Sequence, residues 1–166
     1  MYFRKFLEAN GFWGNVGAGV LPFCGSTDRF LVQLRSYSVL EPGTWGIWGG
    51  KVDDEDAMNI EQEVKRELME EAGYNGPIKL IPAHVFKHPS GFVYHNFIGV
   101  VYNEFMPNNN HAPEEFKHSG EWDDFRWLTY EELLRLPKKH FGLAELLKNS
   151  KELFENLVKE NYNEKI

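Results

Sequence analysis

The residues best placed to do chemistry in this chain are the carboxylates of RELMEEAG, residues 66–73, where Glu67, Glu70 and Glu71 stand three and four positions apart. At 3.6 residues per turn, such positions share one helical face. Glu63, one turn earlier, extends the stripe, and like charges at these spacings cost about 0.2–0.5 kcal/mol per pair on an exposed helix. A cation is needed to offset that. It can come from Lys65 and Arg66 as neighbouring counterions, or from a bound ion.

The composition bounds what such a site can serve. At 166 residues the chain suits one domain with a real core and is too short for two comfortable ones. A hydrophobic content of 42% and an aromatic content of 15% argue for a folded globular protein. The net charge of -7 speaks against a broad electrostatic grip on nucleic-acid polymer, which depends on Lys and Arg neutralising phosphates. Phosphates can still bind through a divalent metal. A lone cysteine, Cys24, excludes an internal disulfide and a cysteine-rich zinc site, and reads as a small buried hydrophobe. Arg4, Lys5 and Glu8 interrupt the apolar residues of the N-terminus, and FIGVVY at 97–102 is too short to span a bilayer. The expectation is a soluble, cytoplasmic protein.

Elements able to position the carboxylates follow from the pattern. VGAGVLPF (16–23) and RFLVQLRS (29–36) read as a hairpin around a Gly25, Ser26, Thr27, Asp28 turn, and TWGIWGGKV as an aromatic strand ending on Gly49 and Gly50. Gly17 and Gly19 mark close packing within the first strand. The carboxylate helix is expected from Ile60 to Ala72, with Asn59 and Gln62 forming a capping box, Gly73 ending it, and Val64, Leu68 and Ala72 packing on the sheet. Residues 78–88 and 92–105 read as a second strand pair, with Pro82 placing the first of these at an edge or bulge. A long polar loop covers 106–120, DDFRWLT a short strand, TYEELLRL a short helix, and 142–161 one amphipathic helix carrying Leu143, Leu146, Leu147, Phe154 and Leu157.

The segment from Gly50 to Tyr74 resembles the signature of the Nudix hydrolase family, G-x5-E-x7-R-E-U-x-E-E-x-G-U, in which U is a bulky apolar residue. Arg66, Glu67, Leu68, Glu70, Glu71 and Gly73 match it, and a GGKV run precedes them. The resemblance extends more loosely from about Asn15 to Leu136 and leaves the last thirty residues uncovered. One departure stands out. The loop acidic position falls on Asp56, from which nine residues separate Arg66 where the family has seven. Counting back from Arg66 returns Asn59 as the cap, so the two extra residues belong to the loop among Asp53 to Met58, with Glu55 or Asp56 as the loop acid.

The resemblance implies an α/β (α+β) Nudix fold: a mixed sheet between helices, in one domain over 1–166 with a core at about 13–136 and a helical extension at about 141–161. It implies hydrolysis of a phosphoanhydride in a nucleoside diphosphate linked to another moiety, with Mg²⁺ or Mn²⁺ on Glu67, Glu70, Glu71 and the Gly50 carbonyl, and with Arg66 orienting a glutamate. Glu121 resembles a glutamate that other members use as base or ligand; Glu114 and Glu115 are weaker candidates. Pro89, sixteen positions after Gly73, resembles the ADP-ribose pyrophosphatases, while the length and GGKV resemble MutT-type enzymes, so the substrate stays open between ADP-ribose or a nucleoside diphosphate sugar and a nucleoside triphosphate. No substrate-binding residue is assigned, although Trp13, Trp45, Trp48, Phe92 and Tyr94 offer faces on which a base can stack. The six histidines form no metal-ligand spacing. The expected partner is a small nucleotide, not nucleic-acid polymer or membrane, and a homodimer is compatible with the apolar C-terminal stripe. The competing reading is a weakly active or inactive Nudix-fold module that binds a nucleotide or a protein.

Overall fold

The computed structural model describes residues 16–36, 41–52, 59–110 and 122–160. Strands β1 (Val16–Cys24) and β2 (Arg29–Arg35) form the expected hairpin, although they pair only at Phe23 with Phe30 and Cys24 with Arg29. Beyond that point the two diverge. The first half of β1, Val16 to Val20, pairs antiparallel with β4 (Trp48–Val52), while β2 pairs with β3 (Trp45–Gly46) and β7 (Trp122–Thr129). The single aromatic strand expected over TWGIWGGKV is therefore two. It breaks at Ile47 because its start serves β2 and its end serves β1.

On its other edge β1 runs parallel to β6 (Val93–Val101) along its whole length, and β5 (Lys79–Lys87) lies antiparallel outside β6. The result is a mixed seven-stranded sheet. β5 ends the order β3-β2-β1-β6-β5, and its register shifts between Pro82 and Val85, so proline sits where the ladder tolerates a missing donor.

Helix α1 (Ile60–Ala72) has the expected bounds. It stops at Gly73, whose φ of 71° is the left-handed turn that glycine adopts most readily. The Asn59 side chain, however, makes no capping hydrogen bond, so the expected capping box is absent. One forms instead on α2 (Tyr130–Arg135), where Thr129 and Glu132 bond reciprocally. The C-terminal segment expected as one helix is two, α3 (Phe141–Asn149) and α4 (Lys151–Lys159), broken at Ser150. The apolar residues continue at helical spacing through the break, so periodicity alone cannot reveal it.

Alternation along the strands sends side chains to two cores. On one face Ala18, Val20, Leu31, Trp48, Val52 and Phe97 pack with Val64, Leu68 and Ala72 of α1. On the other, Leu21, Phe23, Phe30, Val32, Ile98 and Val100 pack with Leu133, Leu143, Leu146, Phe154 and Leu157 of α2 to α4. Cys24 is fully buried, as read from the sequence. Among the described residues no helix is long and apolar enough to cross a membrane.

Candidate active site

Three apolar positions per three turns fix α1 on the sheet and leave its neighbouring face to the charged residues. Arg66 occupies the middle of that face. Its Nε donates to Glu63 Oε2 at 3.1 Å and its Nη2 contacts Glu63 Oε1. Its Nη1 donates to Glu70 Oε1 at 2.7 Å, and Nη2 also reaches Glu67 Oε1 at 3.3 Å. Glu63 leads the causes that raise the guanidinium pKa, burial opposes it, and Glu70 and Glu67 add to it. Glu63 is 5% exposed and cannot be solvated there; its pairing with Arg66 supplies what water would. The sequence marks Glu63 only as an extension of the stripe.

The helix meets β4 at Gly49 and Gly50. Glu71, also buried, accepts a hydrogen bond from Gly49 N at 3.0 Å through Oε2. Glu67 lies over Gly50, where a Cβ would stand 3.6 Å from its Oε2. At Gly49 the φ of 152° and the contact with Ala18 O leave no room for a side chain. Glycine at both positions thus lets strand and carboxylates approach.

Contacts from distant segments hold the far end of α1. Trp122 Nε1 donates to Glu71 O at 2.8 Å and its ring stands edge-on to Trp48, while Asn108 N donates to Ala72 O at 2.9 Å. No local pattern announces these tethers, because their partners lie far along the chain. Glu121, Glu55, Asp56, Glu114 and Glu115 lie outside the described residues, as does Trp13. Of the other aromatic faces, Trp45, Trp48 and Phe92 are buried in packing, whereas Tyr94 is half-buried on the side of Gly17 and Gly19.

Carboxylate oxygens suit a hard divalent cation. By donor chemistry Glu67, Glu70 and Glu71 fit such an ion, although among the described residues no three acidic, histidine or cysteine side chains already converge on one point. Protein donors hold them instead: Arg66 for Glu67 and Glu70, and Gly49 N for Glu71.

Residues 14–149 match the family model described as the NUDIX domain. The chain belongs to the Nudix hydrolase family. The match continues past Leu136 to include α3, so the Nudix domain reaches further than the sequence resemblance did. No curated protein matches the chain. Solved structures share the fold. A Nudix hydrolase from M. smegmatis, RenU, has a TM-score of 0.64 and 19% identity over 86% of each chain. The MutT Nudix hydrolase from Burkholderia pseudomallei has a TM-score of 0.55 and 23% identity, covering 81% of this chain and 96% of its own. The Nudix domain of Shewanella oneidensis NrtR, solved with ADP ribose, has a TM-score of 0.59 and 18% identity over 84% and 87%. The chain is thus a Nudix hydrolase, in a family that generally works with divalent metal ions, and α1 carries the residues that resemble the family signature.

Proposed function

We propose that the chain is a Mg²⁺- or Mn²⁺-dependent pyrophosphohydrolase that cleaves a phosphoanhydride in a nucleoside diphosphate linked to another moiety. The observation that carries this reading is the seating of Glu67 and Glu71 on Gly49 and Gly50, with Arg66 bridging Glu63, Glu67 and Glu70. Glu67, Glu70, Glu71 and the Gly50 carbonyl would hold the metal. Bound there, a divalent ion supplies Lewis-acid stabilisation of phosphoryl charge and a more acidic water. Arg66 orients Glu67 and restrains Glu70 through charge-assisted bonds. Glu63 in turn fixes Arg66, so one buried carboxylate steadies the whole face. Gly49 N keeps Glu71 from swinging away from the strand. Glu121 is assigned as an assisting base or ligand; it precedes Trp122, whose indole is tied to Glu71 O.

The same reading makes residues 1–166 a single domain acting in the cytoplasm on a small nucleotide, not on nucleic-acid polymer or membrane, and it leaves a homodimer open. Among substrates, ADP-ribose, nucleoside diphosphate sugars and nucleoside triphosphates are the classes to screen. Purified protein is incubated with such a nucleotide set and Mg²⁺ or Mn²⁺, with chelator and with Glu70→Gln. Hydrolysis that chelator abolishes and Glu70→Gln cripples is expected. Metal-independent hydrolysis, or full activity of the variant, would overturn the assignment. Nucleotide binding without turnover would favour the alternative of a binding module, which the capture of three carboxylates by Arg66 also accommodates.

A further inference from the structure

The ring of Tyr94, from β6, lies across both Gly17 and Gly19 of β1. A Cβ on Gly17 would meet Tyr94 Cδ2 at 2.6 Å and Cε2 at 2.9 Å, and one on Gly19 would collide with the phenolic oxygen itself. The ring therefore runs along β1 from Gly17 to Gly19, the residues paired with Lys51 and Gly49 of β4. Its hydroxyl ends beside the segment of β4 whose Gly49 amide is bonded by Glu71 and whose Gly50 lies under Glu67. Burial is the main cause that raises the phenol's pKa; the charges of Glu71 and Glu67 add to it, and Arg35 opposes them. Tyr94 consequently keeps its proton through the neutral range and remains a donor.

Among the described residues that hydroxyl donates to no protein group. Tyr94 is half-buried, so the side chain is not sealed within the core. The ring carbons alone cover Gly17, and the oxygen makes the contact over Gly19, but that contact does not use its hydrogen-bonding capacity. What the hydroxyl adds is a fixed donor next to an acidic face, and a diphosphate ester presents acceptor oxygens there.

We propose that Tyr94 is a substrate-binding residue whose hydroxyl donates to a substrate oxygen at or adjoining the diphosphate, either a phosphoryl oxygen or a ribose hydroxyl. The inference rests on the pyrophosphohydrolase reading above. To test it, wild type and Tyr94→Phe are compared with saturating Mg²⁺ on the best nucleotide from the screen. The expected result is a fall in kcat/KM of about tenfold or more, with the thermal midpoint unchanged to within about 2 °C. Repeating the comparison on the 2′-deoxy and 3′-deoxy analogues identifies the acceptor. A loss that persists on both places the donor on phosphate, and one that vanishes on either places it on that hydroxyl; both outcomes support direct contact. Equal kcat/KM for the two proteins overturns the proposal, and so does a parallel fall in thermal midpoint, which would make the hydroxyl structural. If wild type binds nucleotide without hydrolysing it, the enzymatic reading alone fails, and the same tenfold loss is then expected in Kd. If wild type neither binds nor hydrolyses any nucleotide, both fail.

Discussion

The two helical layers on this sheet are held in different ways. On one side α1 buries Val64, Leu68 and Ala72, and its other buried side chains are the carboxylates Glu63 and Glu71. On the opposite side α2 to α4 bury Leu133, Leu143, Leu146, Leu147, Phe154 and Leu157, with no buried acid among them. The second layer is stabilised by apolar area, at about 1.5–3 kcal/mol per fully buried side chain. The first depends on satisfying charge: Arg66 on Glu63, Gly49 N on Glu71, and Trp122 on the Glu71 carbonyl. Caps do not follow that division. Thr129 and His140 cap α2 and α3 with side chains, while α1 and α4 both begin without one. What sets the candidate layer apart is the charge buried in it.

Four measurements can break or sharpen that contrast. Phe154 is fully buried, with its ring 5.1 Å from Phe30 and 5.2 Å from Tyr130. Phe154→Ala is expected to cost about 3–5 kcal/mol in urea unfolding, with specific activity retained below the transition; an inactive but still stable protein would erase the distinction between layers. Glu71→Gln keeps an oxygen for Gly49 N and removes the charge. It should lower metal-dependent activity about a hundredfold while the thermal midpoint barely moves. A large loss of stability with activity intact would make Glu71 a structural residue.

The third measurement concerns pH and the supporting layer. Burial, reinforced by Arg35, pushes the His140 pKa down to about 3, with Glu41 Oε2 at 3.0 Å from its Nε2. A depressed histidine pKa means the unfolded chain takes up the proton first. Its contribution is therefore complete above the unfolded value near ~6.5 and declines as pH falls towards the folded value. Between pH ~6.5 and ~5 the loss should be roughly 1–2 kcal/mol. His140→Asn retains an acceptor for Gly142 N and should flatten that slope in urea titrations; an unchanged slope would assign it to other groups. The smallest effect compares caps. Thr129→Ala should cost about 1 kcal/mol, and Asn59→Ala only a few tenths, because Asn59 has no side-chain cap bond to lose. Equal costs would remove the difference between the two helix starts.

Much of this molecule is legible in its sequence, and the failures share a cause. The bounds of α1, the edge position of Pro82 and the burial of Leu143, Leu146, Leu147, Phe154 and Leu157 follow from neighbouring residues. The break at Ile47 does not, because it depends on which strand lies beside each half of TWGIWGGKV. Nor does the break at Ser150, beyond which Phe154 stacks on Tyr130 and packs at a tilt against Phe30. Asn59 has the chemistry of a cap but makes no cap bond.

The placement of Glu67, Glu70 and Glu71 on one face was determined by sequence alone, because helical periodicity is a property of the local backbone. Their match to the Nudix signature was likewise local. The grip of Arg66 on Glu63, Glu67 and Glu70 is local too, since all four lie within one helix. Only the tertiary structure decided that Glu63 and Glu71 are buried and that the face closes on Gly49 and Gly50. It also decided that Tyr94 crosses two glycines more than seventy residues earlier in the chain. Those facts arise from packing between segments distant in sequence, and the burial that sets the state of each charge does not exist until the segments meet.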